Sequence, residues 1–100
     1  MDQNVARRIQ ALKARLASVE PIWRGRIWTI YQGIDGMYVF ADRIGKGYLL
    51  VAASGEIRDI TGEAVDRADI AVVLGHFDSL KITHMAKQVR DWTTRRRLNG

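Results

Sequence analysis

The sequence predicts an α+β domain, in which a four-stranded antiparallel β-meander is flanked by an N-terminal helix and one or two C-terminal helices packed on one face. Two observations indicate this fold class. Apolar residues near the N-terminus recur every three or four positions, as on one helix face, whereas residues 26–60 alternate with the period of two that strands show. A length of 100 residues fits one domain of ordinary size, so a single domain over residues 1–100 is expected.

A stripe of five apolar residues predicts the first helix. Spaced by four, three, four and three positions, its members are Val5, Ile9, Leu12, Leu16 and Val19. This spacing puts them on one face that can be buried. Asp2 or Asn4 can cap the start of the helix, and Pro21 cannot continue it because proline lacks the N–H group that a helix needs. The helix is therefore expected to end at residue 19 or 20.

Four short strands, separated by turns that contain glycine, are predicted next. Their ranges are residues 27–32, 37–42, 48–53 and 56–60. The turns read GIDG, RIGKG and SG, and glycine supplies the positive φ that tight hairpins need. The third strand is apolar on both faces, which is typical of a central strand, whereas the fourth is short and charged, as edge strands often are.

The segment after the strands has two possible structures. Residues 63–77 begin with helix formers and acidic side chains, but residues 70–74 (IAVVL) form an apolar run of strand length. We expect a short helix that ends at Gly75, with a buried strand over residues 70–74 as the alternative. A last helix is predicted over residues 79–97. Its apolar stripe consists of Ile82, Met85, Val89 and Trp92, and Asp78 or Ser79 can cap its start.

The charge is concentrated at the two ends of the chain. The protein has 16 basic and 11 acidic residues, a net charge of +5. Residues 1–24 carry five basic and two acidic groups, and residues 79–100 carry six basic groups and one acidic group. The middle of the chain is mildly acidic. This asymmetry is the main indication of a partner, and it favours an anionic one.

Several kinds of chemistry find no support in the sequence. There is no cysteine, which excludes disulfides and thiol catalysis, and His76 and His84 lack the spacing of a helical metal site. Neither Ser18 nor Ser54 lies in a nucleophile motif, and no glycine-rich phosphate loop is present. We therefore expect no enzymatic activity and no cofactor. The absence of an apolar run of membrane-spanning length and of a signal-like start predicts a cytoplasmic protein without a membrane partner.

One motif, WRGRIW at residues 23–28, interleaves basic and aromatic side chains. Trp23, Arg24, Arg26 and Trp28 could form a platform on which single-stranded nucleic acid stacks. The alternative, which we favour, buries Trp28 or Ile27 in the sheet and leaves both arginines in solvent. The stretch TTRRRL near the C-terminus has two interpretations that the sequence supports equally. Its arginines can belong to a solvated helix end or to a surface for an anionic partner.

The leading functional hypothesis is a small non-enzymatic binding module whose basic terminal helices contact nucleic acid, mainly through the phosphate backbone. The predicted contact residues are Arg90, Arg95, Arg96 and Arg97, then Arg7, Arg8, Arg24 and Arg26, with Trp23 as an aromatic contact. The alternative is a protein-interaction or inhibitor module that binds an acidic protein through exposed aromatics and arginines. A homodimer formed through the first helix is a variant of this alternative.

Overall fold

The computed structural model describes residues 3–42 and 47–99 and confirms the α+β class. Its elements are α1 (Gln3–Leu16), β1 (Trp23–Arg24), β2 (Trp28–Ile34), β3 (Met37–Asp42), β4 (Tyr48–Val51), β5 (Ile57–Asp59), α2 (Arg67–Ser79) and α3 (Thr83–Asn99). The sheet has five strands instead of the predicted four. The additional strand, β1, is two residues long, too short to show a period in the sequence. The predicted cap Asp2 and most of the RIGKG turn, residues 43–46, lie outside the described residues.

The sheet is an antiparallel meander in which each strand pairs with its neighbours in the sequence, in the order β1-β2-β3-β4-β5. Phe40 on β3 lies opposite Ile30 on β2 and Leu49 on β4. The turn between β2 and β3 has positive φ at Asp35 (54°) and Gly36 (74°). Positive φ at both central residues gives the twist that a two-residue hairpin needs, so the GIDG turn forms as predicted.

Helices cover both faces of the sheet, which corrects the expectation that they would share one face. On one face, the first four residues of the predicted stripe of α1 pack against Val39, Ala41, Tyr48 and Ile60. The helix ends at Leu16 instead of residue 19 or 20, so Val19 lies beyond it. On the other, α2 and α3 pack against Tyr38, Phe40 and other apolar residues of the sheet. The reason lies in β3, whose side chains alternate between the two faces and are apolar on each. A helix layer on one face would have left the other exposed to water.

Helix α2 extends past the predicted end at Gly75. It starts at a capping box. The side chain of Asp66 accepts a hydrogen bond from the backbone N–H of Asp69, and the side chain of Asp69 accepts one from the backbone N–H of Asp66. The helical interpretation of residues 70–74 is therefore correct, and the strand alternative is wrong. The helix continues through Gly75 because Val73 and Phe77, four residues apart, are both fully buried against the sheet.

A lysine, not the glycine, terminates α2. Lys81 has a φ of 59°, and its backbone N–H donates to the carbonyl of Asp78 over 3.1 Å. The N–H of Ile82 donates to the carbonyl of Phe77 over 2.9 Å, which completes a Schellman motif. The last helix consequently begins at Thr83, not at residue 79. Of its predicted apolar stripe, Met85 and Val89 are buried and Trp92 is partly buried, whereas Ile82 precedes the helix.

Gly55 sets the distance between the sheet and α3. It lies in the turn between β4 and β5, is buried, and has a φ of 91°. A Cβ atom at this position would overlap the backbone of Gln88 in α3. The turn can therefore approach the helix this closely only with glycine.

We expect the substitution Gly55→Ala to lower the free energy of unfolding by about 3 kcal/mol, since it combines an unfavourable φ with overlap against a helix backbone. Urea denaturation measures the loss. Gly62→Ala is the matched control, because Gly62 also has positive φ (84°), but a Cβ atom there would meet no described residue beyond its chain neighbours within 4 Å. The control should lose about 1 kcal/mol. Equal losses for the two variants would show that the contact with α3 contributes nothing.

Candidate binding surfaces

The predicted site residues do not form one surface. Arg7 and Arg8 lie on α1, whereas Arg95 and Arg97 lie on α3, and these helices pack on opposite faces of the sheet. All four side chains are exposed. The two basic ends of the chain therefore provide two separate basic surfaces.

The first, the α1 surface, consists of Arg7, Arg8, Lys13 and Arg15 together with Arg24 of β1. The helix Gln3–Leu16 contains these four cations and no Asp or Glu. Within the described residues, the ion pair of Arg15 with Asp35 is the only one that any of the five makes. Its N–O distance is 4.0 Å and both side chains are exposed, so it neutralises little charge. Apart from this weak pair of Arg15, the cations of the α1 surface make no ion pair within residues 3–42 and 47–99.

A polar pocket of about 400 Å³ adjoins the α1 surface where α1 meets the sheet. Among the residues that line it are Lys13, Arg24, Thr29, Tyr31, Tyr48 and Asp42. Arg24 lies on this side because it pairs with Thr29 in the sheet. Burial raises the pKa of Tyr48 and the nearby Tyr31 raises it further, so the Tyr48 hydroxyl is protonated at neutral pH. The pocket therefore combines two cations and three hydroxyl groups with one carboxylate, that of Asp42, so its lining has a net positive charge.

The sequence contained a signal for this pocket that the prediction did not use. Thr29 and Tyr31 alternate with Trp28 and Ile30, which puts the hydroxyl-bearing pair on one face of the sheet. Lys13 could not be assigned to the same place, because only the packing of α1 on that face brings it there.

The aromatic residues of WRGRIW face away from the α1 surface. The Trp23 ring lies 4.8 Å from that of His76 on α2, and the Trp28 ring lies 6.5 Å from that of Phe40. Both tryptophans are half-buried, and Arg26 is exposed in the turn between β1 and β2. Trp23 and Arg24 thus lie on opposite faces of the sheet, so the motif does not form one stacking platform.

Two of the four predicted arginines of α3 bind within the protein. Arg90 forms an ion pair with Asp78 of α2 at 2.7 Å. Arg96 donates to the backbone carbonyl of Val65 over 2.8 Å, and its guanidinium lies 5.3 Å from the centre of the Trp92 ring. Both contacts fasten α3 to the segment that contains α2. Arg95 and Arg97 remain exposed and make no ion pair with another described residue.

Within residues 3–42 and 47–99, no group of three or more His, Asp or Glu side chains could hold a metal ion. The same part of the chain contains no helix of the length and apolarity that crossing a membrane requires. Comparison of the chain with models of known protein families, with curated proteins and with solved structures finds no match. A function must therefore be inferred from the surface chemistry of this protein.

We expect Arg96→Ala to lower the free energy of unfolding by about 1 kcal/mol, because the Val65 carbonyl loses its hydrogen-bond donor and Trp92 loses its cation. Arg95→Ala, which removes the same charge from the neighbouring position, should change it by less than about 0.5 kcal/mol. Thermal or urea denaturation compares the two. If Arg95→Ala lowers the free energy of unfolding as much as Arg96→Ala does, the contacts of Arg96 are not stabilising.

Proposed function

We propose that this protein is a non-enzymatic binding module that contacts the phosphate backbone of nucleic acid through the α1 surface. The observation that carries this proposal is the set of five cations on one side of the sheet, of which only Arg15 forms an ion pair within the described residues. Unpaired cations on a helix attract a polyanion, and each phosphate they neutralise releases condensed counterions. The binding free energy is therefore mostly electrostatic.

The neighbouring pocket supports the same proposal. Lys13 and Arg24 line it together with Thr29, Tyr31 and Tyr48, so a phosphate held there would accept hydrogen bonds from charged and neutral donors. Contacts of this kind position a nucleic acid without distinguishing its bases. We therefore propose binding with little sequence preference. The arginines of α3 are not part of the proposed contact surface, because Arg90 and Arg96 are engaged within the protein and all four lie on the other side of the sheet.

The expected result for Arg7→Gln combined with Arg8→Gln is a loss of affinity for nucleic acid that depends on salt. If both side chains contact phosphates of a single strand, the slope of log affinity against log salt should become shallower by about 1.4, and binding near 0.1 M salt should weaken by about 10- to 30-fold. Fluorescence anisotropy of labelled single- and double-stranded oligonucleotides between about 50 and 200 mM salt measures both quantities.

The matched control is Arg95→Gln combined with Arg97→Gln, which removes the same charge from the opposite side of the sheet. It should leave the slope unchanged. Equal effects of the two double variants would mean that net charge alone, and not the α1 surface, attracts the nucleic acid. No binding of either oligonucleotide at about 50 mM salt would overturn the proposal.

A further inference from the structure

An apolar groove with basic edges runs between α2 and α3, on the side of the sheet away from the α1 surface. Its volume is about 830 Å³. The floor is formed by Ile70, Ala71 and Leu74 of α2, and the rim by Arg67, Arg96 and Arg97. We call this feature the α2–α3 groove.

The floor of the groove consists of side chains that the fold buries incompletely. Val73 and Phe77 point into the core and are fully buried, whereas Ile70 and Leu74 are packed against that core on one side and remain half-exposed. They are four residues apart and so lie one above the other along α2. Ala71 is exposed beside them, and its small side chain leaves space above the floor. Covering such a strip would remove apolar surface from water.

The charged residues around the groove favour a negatively charged ligand. Three arginines from two helices line the rim. The one carboxylate among the lining residues, Asp66, already accepts a hydrogen bond from the backbone of Asp69 in the capping box. A ligand with carboxylates at its edges would therefore meet opposite charge, and a basic ligand would be repelled.

We propose that the α2–α3 groove binds an acidic amphipathic helix of another protein. Apolar side chains at helical spacing on the partner would contact Ile70 and Leu74, and carboxylates beside them would reach Arg67 and Arg97. Neither α2 nor α3 offers a free strand edge to the groove, so recognition has to occur through side chains, as in helix-in-groove binding. A phosphate backbone would gain nothing from the apolar floor. This inference does not depend on the nucleic-acid proposal, which concerns the other side of the sheet.

A library of random peptides of roughly 16 residues, about 24 Å long when helical, displayed on phage, tests the inference without assuming the partner's sequence. Selection on the wild-type protein should enrich peptides that carry apolar residues three and four positions apart and Asp or Glu beside them. The best of these, synthesised and labelled, should bind Ala71→Asp about tenfold or more weakly, because the new carboxylate lies on the floor and repels the peptide. Arg67→Ala combined with Arg97→Ala should weaken binding by a similar factor.

Ala11→Asp is the matched control, since it makes the same change at an exposed helical position on the other side of the sheet. It should leave peptide affinity unchanged. Circular dichroism checks that each variant folds. If Ala71→Asp does not fold, Arg67→Ala combined with Arg97→Ala still tests the inference. The inference is wrong if no peptide is enriched, if enriched peptides are not acidic, or if both groove variants bind them normally. It is also wrong if an oligonucleotide displaces the peptide in competition, since the groove would then belong to a nucleic-acid surface.

Discussion

The central strand β3 is apolar on both faces, and the arrangement of the whole molecule depends on this property. Tyr38 and Phe40 face α2 and α3, while Val39 and Ala41 face α1. Burying a large apolar side chain is worth about 1.5–3 kcal/mol, so exposing either set would cost a substantial part of the stability of a small domain. Each face therefore needs its own helix layer, and in this protein α1 covers one face while α2 and α3 cover the other.

This layering also separates the two basic ends of the chain. Two layer spacings of roughly 10 Å put the outer helices about 20 Å apart. The Debye length is about 8 Å at physiological salt, so charges on α1 and on α3 are largely screened from each other. A ligand on either side of the sheet therefore responds to the charges on that side and not to the net charge of +5. On one side, only Arg15 of the five cations makes an ion pair within the described residues. On the other side, Arg90 and Arg96 of α3 bind to the segment that contains α2, whereas Arg95 and Arg97 make no ion pair with a described residue.

Local patterns predicted the elements well and their long-range relations poorly. The stripe of α1 and the meander were predictable because spacing and turn residues act within a few positions. The end of α2 was not predictable in this way. Gly75 is a local signal for the end of a helix, but the helix continues past it because Phe77 is buried against the sheet. The same limit applies to the candidate sites. Arg90 is paired with a residue 12 positions away and Arg96 with one 31 positions away, so the sequence could not show which arginines the fold occupies.

The two proposed sites differ in how they use arginine. On the α1 surface, the cations are spread along one helix beside a polar pocket, which suits an extended polyanion whose charge is regularly repeated. At the α2–α3 groove, fewer cations border an apolar floor, so charge would set the orientation of a partner while apolar contact would supply affinity. Both ligands are anionic, and on a single surface they would compete. Because the sheet lies between the two sites, a nucleic acid and an acidic helix could occupy the protein together.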